Sequence, residues 1–247
     1  MKRLMGLVVA AVMTIAVTLQ ADGAAPAAPA RGSVAVPRTM APAKVPPPVE
    51  EATGIGLSAK VGTLGVGGDV TVGVSDYFGV RFEVNGFGWS PSWKEDEGTI
   101  HGDFEWLSYG ALLDCYPAGG GFRLTGGVLM NKNKVKLTAD LAKPVELDGT
   151  DYALSDLSGE ITFADTAPYV GIGYGNAVGA GQRWHFTCDF GVMFQGEPKI
   201  SASAKASDPA MQGIVDEAMA NEVADIQDDA NAFKYYPVIA VGAAFKF

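Results

Sequence analysis

Three side chains of the kind that carry out acyl transfer fall at alternate positions, His185, Thr187 and Asp189. A hydroxyl nucleophile, an imidazole base and a carboxylate to orient the base would make a hydrolytic constellation. The spacing argues against it, because alternate residues of a strand stand about 7 Å apart, too far for a nucleophile–base hydrogen bond. The other histidine, His101, lies in an acidic stretch. No metal-ligand spacing or phosphate loop occurs, and GIGYG at 171–175 is a lone glycine pattern without a nucleotide signal. The residue types therefore predict no enzyme, no cofactor and no metal. The loop carboxylates Glu95, Asp96 and Glu97 read first as a solvated face, and second as a surface for divalent cations or a binding partner.

A different set of charges carries more information. Lys60, Asp69, Arg81, Glu83, Asp114, Arg123, Asp189 and Lys246 share one phase of an alternating pattern, four basic against four acidic. They are interleaved with Gly110, Gly127, Gly171, Gly173, Gly191 and Gly242. Unpaired charge in a narrow interior is costly, so a balanced set reads first as an internal ion-pair ladder and second as a selectivity device. Gly171, Gly173 and Gly175 on one inward face would leave room for water or a small solute.

The elements that must position these charges are short runs of period-two alternation. Eight strands are predicted, at about 55–64, 66–75, 79–88, 103–116, 121–131, 167–177, 183–195 and 235–247. Their other face carries Val70, Val72, Val74, Phe82, Val84, Leu107, Tyr109, Leu113, Phe122, Leu124, Val128, Val170, Ile172, Tyr174, Phe186, Phe190 and Phe194, with no charge between its ends. A soluble barrel would bury such a face and cover the polar one with long solvated side chains. Here the polar face is sparse, glycine-rich and balanced, which suits the inside of an eight-stranded barrel filled by side chains. The apolar face is then left for lipid. The fold class is all-β, a closed antiparallel up-and-down transmembrane barrel over 54–247.

Connection lengths and charge agree with this polarity. The turns at 75–78, 117–121 and 176–182 are short, while 89–102, 132–166 and 196–234 are long outer connections, with one tight exception near Leu64. Tyr77, Phe78, Tyr116, Phe122, Tyr174, Trp184 and Phe247 fall at inner strand ends, and Trp89, Trp106, Phe194 and Tyr235 at outer ones, as two aromatic girdles would. The three long connections with their margins hold −12 of formal charge, while the strands and inner turns cancel. That acidity disfavours nucleic acid as a partner. The last connection contains Asp208 as an N-cap, Pro209 at the first helical position, and Met211, Ile214, Val215, Met219, Val223 and Ile226 at helical spacing. A short amphipathic helix over about 208–226 is expected, packed on the barrel mouth.

The start of the chain reads as an export signal. Lys2 and Arg3 precede an uncharged apolar run from Leu4 to Leu19 and then small residues. Residues 1–24 are assigned to a signal peptide, with cleavage between about 21 and 27. Residues 25–53 form an Ala/Pro-rich segment read as a flexible tether. Cys115 and Cys188 share the outward face of strands that are not neighbours, so they read as two small hydrophobes and not as a disulfide.

The stretches CYPAGGGFRLTGGVLMN at 115–131, APYVGIGYGN at 167–176 and YYPVIAVGAAFKF at 235–247 resemble the small eight-stranded outer-membrane β-barrels of Gram-negative bacteria, of the OmpA-like transmembrane type. The resemblance implies location in the cell outer membrane, contact with its lipid and lipopolysaccharide, and a structural or narrow-channel role with acidic outer loops. A surface adhesin or interaction module is the alternative, and a lipid-modifying enzyme a more distant one. It also implies that Phe245 and Phe247, on the last strand, are read by the barrel-assembly machinery. OmpA-like proteins often add a peptidoglycan-binding domain after the barrel; the expectation here is the barrel type without that domain.

Overall fold

The computed structural model describes residues 54–95, 98–147, 149–179 and 183–247. The signal peptide, the tether, Asp96, Glu97 and the side chain of Glu95 lie outside the described residues.

Among the described residues there are fourteen strands. They are β1 (Gly54–Gly62), β2 (Gly65–Ser75), β3 (Phe78–Trp89), β4 (Ser92–Glu95), β5 (Gly98–Cys115), β6 (Phe122–Asn131), β7 (Lys134–Leu141), β8 (Val145–Leu147), β9 (Thr150–Tyr152), β10 (Leu154–Thr162), β11 (Thr166–Tyr174), β12 (Trp184–Phe194), β13 (Lys199–Ala206) and β14 (Tyr235–Lys246). One helix, α1 (Gln212–Ala230), precedes β14. Eight of these strands pair antiparallel in the order β1, β2, β3, β5, β6, β11, β12, β14, and β14 returns to β1. The ring is closed, with Leu57 opposite Phe245 and Val61 opposite Val241 at the seam. These eight are the eight runs of alternation in the sequence.

The expectation of eight strands joined by loops needs correction at one end. β5 is 18 residues long, and only its second half pairs with β6. Its first half pairs with β7, β7 pairs with β10, and β10 pairs with β13. The supposed outer connection at 132–166 is therefore largely strand, that at 196–234 holds β13 and α1, and β4 occupies part of 89–102. Four ring strands run on above the ring, β5 without interruption and β6, β11 and β12 across short breaks at 132–133, 163–165 and 195–198, and β5, β7, β10 and β13 form a second layer of sheet continuous with the ring through β5. The reason is visible in the residues. Ile100, Ala139, Leu157, Ala204 and Ala206 lie on one face and bury against Val215, Ala218 and Met219 of α1, while Thr138, Ser158 and Ser203 lie on the other. A sheet with one solvated face reads as weak alternation rich in Thr, Ser and Lys, close to loop composition.

Asp208 accepts the Ala210 amide hydrogen at 2.9 Å and starts a 3₁₀ turn, Pro209–Met211, that leads into α1. Val215 and Met219 are buried and Val223 and Ile226 partly so, whereas Met211 and Ile214 face outward, against expectation. The packed stripe begins at Val215 and continues through Ala218 and Met219.

The outward face of the ring is apolar and uncovered. Ile55, Leu57, Val70, Phe82, Val84, Leu113, Leu124, Val170, Ile172, Phe186 and Phe190 are all exposed, a band that runs across every strand of the ring. No helix of the described residues is long and apolar enough to cross a membrane.

Candidate functional site: a plugged interior and a cavity at the rim

Strand alternation turns every second residue of the ring inward, and the tilt of the strands stacks these residues in layers. Near the short-turn end the layer is ionic. Arg81 reaches Asp114 and Asp189, each at 3.2 Å, and Arg123 reaches Asp189 at 2.7 Å and Asp114 at 3.8 Å. Thr125 donates to Asp114 at 2.6 Å, and Arg123 also donates to the Gly175 carbonyl. Beside this knot, Lys60 meets Glu83 at 2.5 Å and Asp69 at 3.7 Å, and Ser58 donates to Asp69 at 2.8 Å. Seven of the eight charges singled out in the sequence are brought together. Lys246 is not; its ammonium donates to the Gly179 carbonyl at 3.4 Å, because its place near the end of β14 sets it below the knot.

The glycines do not leave room. A Cβ on Gly171 or Gly191 would stand 2.5 or 2.4 Å from the Tyr169 hydroxyl oxygen, and one on Gly173 would stand 2.8 Å from Arg123 Nε. Tyr169 and the Arg123 guanidinium lie across these positions and occupy the space that a chain of glycines suggested. At Gly175 the φ of +106° requires glycine, and the Phe186 carbonyl closes the space.

Next comes an apolar layer that the alternation did not reveal. Leu64, Leu112, Leu129, Ala167, Tyr169, Met193 and Val238 bury together, with Tyr236 against them. Leu64 belongs to the tight hairpin between β1 and β2 and folds over the interior. These residues share the inward faces of their strands with polar groups, and only the register of the ring makes them a layer. A space of about 10 Å³, lined by Arg81, Glu83, Tyr169 and Asp189 among others, lies between the ionic and apolar layers. That is room for about one water molecule. Two aromatics assigned to the girdles belong inside instead. Tyr116 is fully buried in the same phase as Asp114, and Trp106 is in the same phase as Ser108.

At the opposite end, where the second sheet leaves the ring, a cavity of about 800 Å³ opens between the breaks in the long strands. Asn131 and Asn133 line it, with Lys132, Lys134, Lys199, Glu105, Thr162 and Asp165. Asn131 Oδ1 accepts the Asn133 amide hydrogen and Asn133 Oδ1 accepts that of Leu107, both at 3.1 Å. The carboxamide nitrogens of both asparagines are buried without a partner. Lys132 donates to Asp165 at 2.7 Å on the surface. That hydrogen bond raises the Lys132 pKa above 10.5 and lowers that of Asp165 below 3.8.

Of the three residues considered from the sequence, Asp189 has its carboxylate held by Arg81 and Arg123. A different Ser–His–Asp contact does occur, which the sequence did not suggest. Ser92 lies 2.8 Å from His101 Nδ1, and His101 Nε2 lies 3.2 Å from Asp140. It arises because β4 and β7 flank β5 on either side of His101. The Asp140 side chain is 86% exposed, so this site lacks the desolvation that gives a triad its strength. Among the described residues no group of His, Cys, Asp or Glu could hold a metal ion. Cys115 and Cys188 are both free thiols.

No protein-family model matches the chain, and no curated protein matches it. Two solved structures share its fold. Acinetobacter baumannii CarO2 superimposes with a TM-score of 0.53 at 21% identity, over 79% of this chain and 99% of that one. Acinetobacter baumannii CarO gives 0.53 at 23% identity, over 78% and 98%. At this identity the likeness speaks to the fold alone. The OmpA-like subtype rests on the sequence resemblance.

Proposed function

We propose that this protein is an outer-membrane β-barrel with a sealed interior and a structural role, carrying a sheet-and-helix cap on its outer side. The observation that carries the reading is the uncovered apolar band around a closed ring, a surface that soluble monomers rarely present at this extent. Its partners on this reading are outer-membrane lipid and lipopolysaccharide. Nucleic acid is disfavoured by a net charge of −10. The assembly machinery would read the last strand through Phe245 and Phe247; the Phe247 ring is 75% exposed and packs edge-on against Phe245 at 5.3 Å.

Sealing favours the structural role over a channel. An ionic layer, an apolar layer and a hairpin lie in series across the interior, with space for about one water between them. No enzymatic role is proposed. A second reading, a surface interaction module, draws support from the cap, whose separate apolar core makes it more ordered than a solvating loop needs to be.

The reading is tested by fractionating cells and running the membrane fraction unheated and boiled. Recovery in the outer membrane with a heat-dependent shift in gel migration is expected. A soluble protein with unchanged migration would sink it.

A further inference from the structure

The second layer of sheet ends on β13, which pairs with β10 on one side and with no strand of the described residues on the other. An edge strand offers its outward N–H and C=O groups to any strand that approaches, and native folds blunt such edges. Here α1, which packs along β13, does the blunting. Gln227 Oε1 accepts the Ile200 amide hydrogen at 3.2 Å, and its Nε2 donates to the Pro198 carbonyl at 2.7 Å. Gln212 repeats the pattern at the other end, where its Oε1 accepts from the Ala206 amide at 2.9 Å and its Nε2 donates to the Ala204 carbonyl at 3.0 Å. Each carboxamide makes the one donated and one accepted bond that a residue of a neighbouring strand would make. The spans match: Gln212 to Gln227 covers about 22 Å of helix, and Ile200 to Ala206 about 20 Å of strand. Between the clamps stand Ser201, Ala202 and Ser203, small side chains that offer an approaching strand no steric bar.

From this geometry we infer that β13 is a strand-pairing edge for a second copy of this chain, and that α1 is the strap that holds it shut. The occupant is a second copy because, on the membrane reading above, every cap stands at one height over the same leaflet, so the edges of neighbouring copies meet level. That step rests on the membrane reading; the clamp itself does not. Charge adds a second guard. Lys199 and Lys205 are exposed on the solvated face of β13. In a two-fold pairing about Ala202, Lys199 of each copy falls opposite Lys205 of the other, and like charges directly opposite are destabilising. The glutamines can let go without α1 leaving the sheet, since Val215, Ala218 and Met219 are held separately in the cap core.

The test follows the full chain in detergent micelles by hydrogen exchange and by sedimentation. Gln227→Leu should speed exchange of the Ile200 amide about fivefold and leave Ala206 unchanged, and Gln212→Leu should do the reverse, each losing one hydrogen bond to that amide. Unchanged exchange in both variants would overturn the clamp. The quadruple variant Gln212→Leu/Gln227→Leu/Lys199→Ser/Lys205→Ser should sediment as a dimer under conditions that keep the wild type monomeric. Adding Ala202→Pro should restore the monomer. The Ala202 amide shares the phase of Ile200 and Ala206 and points away from β10, so proline there removes an edge donor and no ladder bond. A monomeric quadruple variant with native exchange in β7 and β10, a dimer that Ala202→Pro leaves intact, or a wild-type dimer that Ala202→Pro dissolves would overturn the proposal. These readouts do not depend on where the protein resides, so their failure would leave the membrane reading standing.

Discussion

Arg81→Gln is the most informative single change in the interior. Arg81 is buried and reaches two carboxylates at 3.2 Å, with Thr125 at 3.5 Å. The cluster of Lys60, Arg81 and Arg123 against Asp69, Glu83, Asp114 and Asp189 carries one net negative charge, and the substitution makes it two. At an effective dielectric of about 20, each of the two contacts is worth about 5 kcal/mol of gross Coulomb energy. Arg123 continues to satisfy both carboxylates, so the net loss falls to the about 3–5 kcal/mol typical of breaking a buried pair. Pairing it with Asp189→Asn restores the original net charge while keeping an oxygen for Arg123, and the double variant should recover about 2 kcal/mol relative to the sum of the singles. Unfolding of the refolded barrel in urea and detergent, followed by tryptophan fluorescence, reads all four corners of the cycle. A loss below about 1 kcal/mol for the single variant, or additive singles, would refute the idea that a coupled ionic knot holds the interior together.

Three further outcomes follow from contacts elsewhere in the molecule. Gly191→Ala drives a methyl group into Tyr169 and should cost about 1–3 kcal/mol in the same assay, less in a Tyr169→Ala background. Met219→Ala removes a buried side chain from the cap; a loss of about 2–5 kcal/mol should show as faster hydrogen exchange in β7, β10 and β13 and not in the ring. Deleting Phe247 removes an exposed ring and one backbone hydrogen bond to Ile55, so the level of assembled protein in cells should fall while refolded protein keeps its melting temperature within a few degrees.

How much of this was written in the sequence depends on the range of the signal. The eight ring strands and their outward face were legible because alternation is a local property, repeated along each strand. The ionic layer was legible because a charge on a glycine-rich inward face has few partners other than an opposite charge. The apolar layer was not, since Leu112, Leu129, Tyr169 and Met193 stand among polar residues on their own strands until the register of five strands aligns them. Tyr169 was missed for the same reason, and with it the filling of Gly171 and Gly191. The second sheet escaped because its solvated face, with Thr138, Ser158 and Ser203, has the composition of a loop. The cavity could not be read at all. Asn131, Lys134, Thr162 and Lys199 come from four separate segments, and only the breaks in the long strands bring them to one rim.

The central claim is that the barrel is closed from the inside. Reconstitution of the wild-type chain into a planar lipid bilayer at high salt tests it most directly, because a continuous aqueous path would carry current whatever the solute. The account predicts a silent bilayer, with insertion verified by protease protection of parallel liposomes. Steady, voltage-stable conductance steps from the unmodified protein would contradict it.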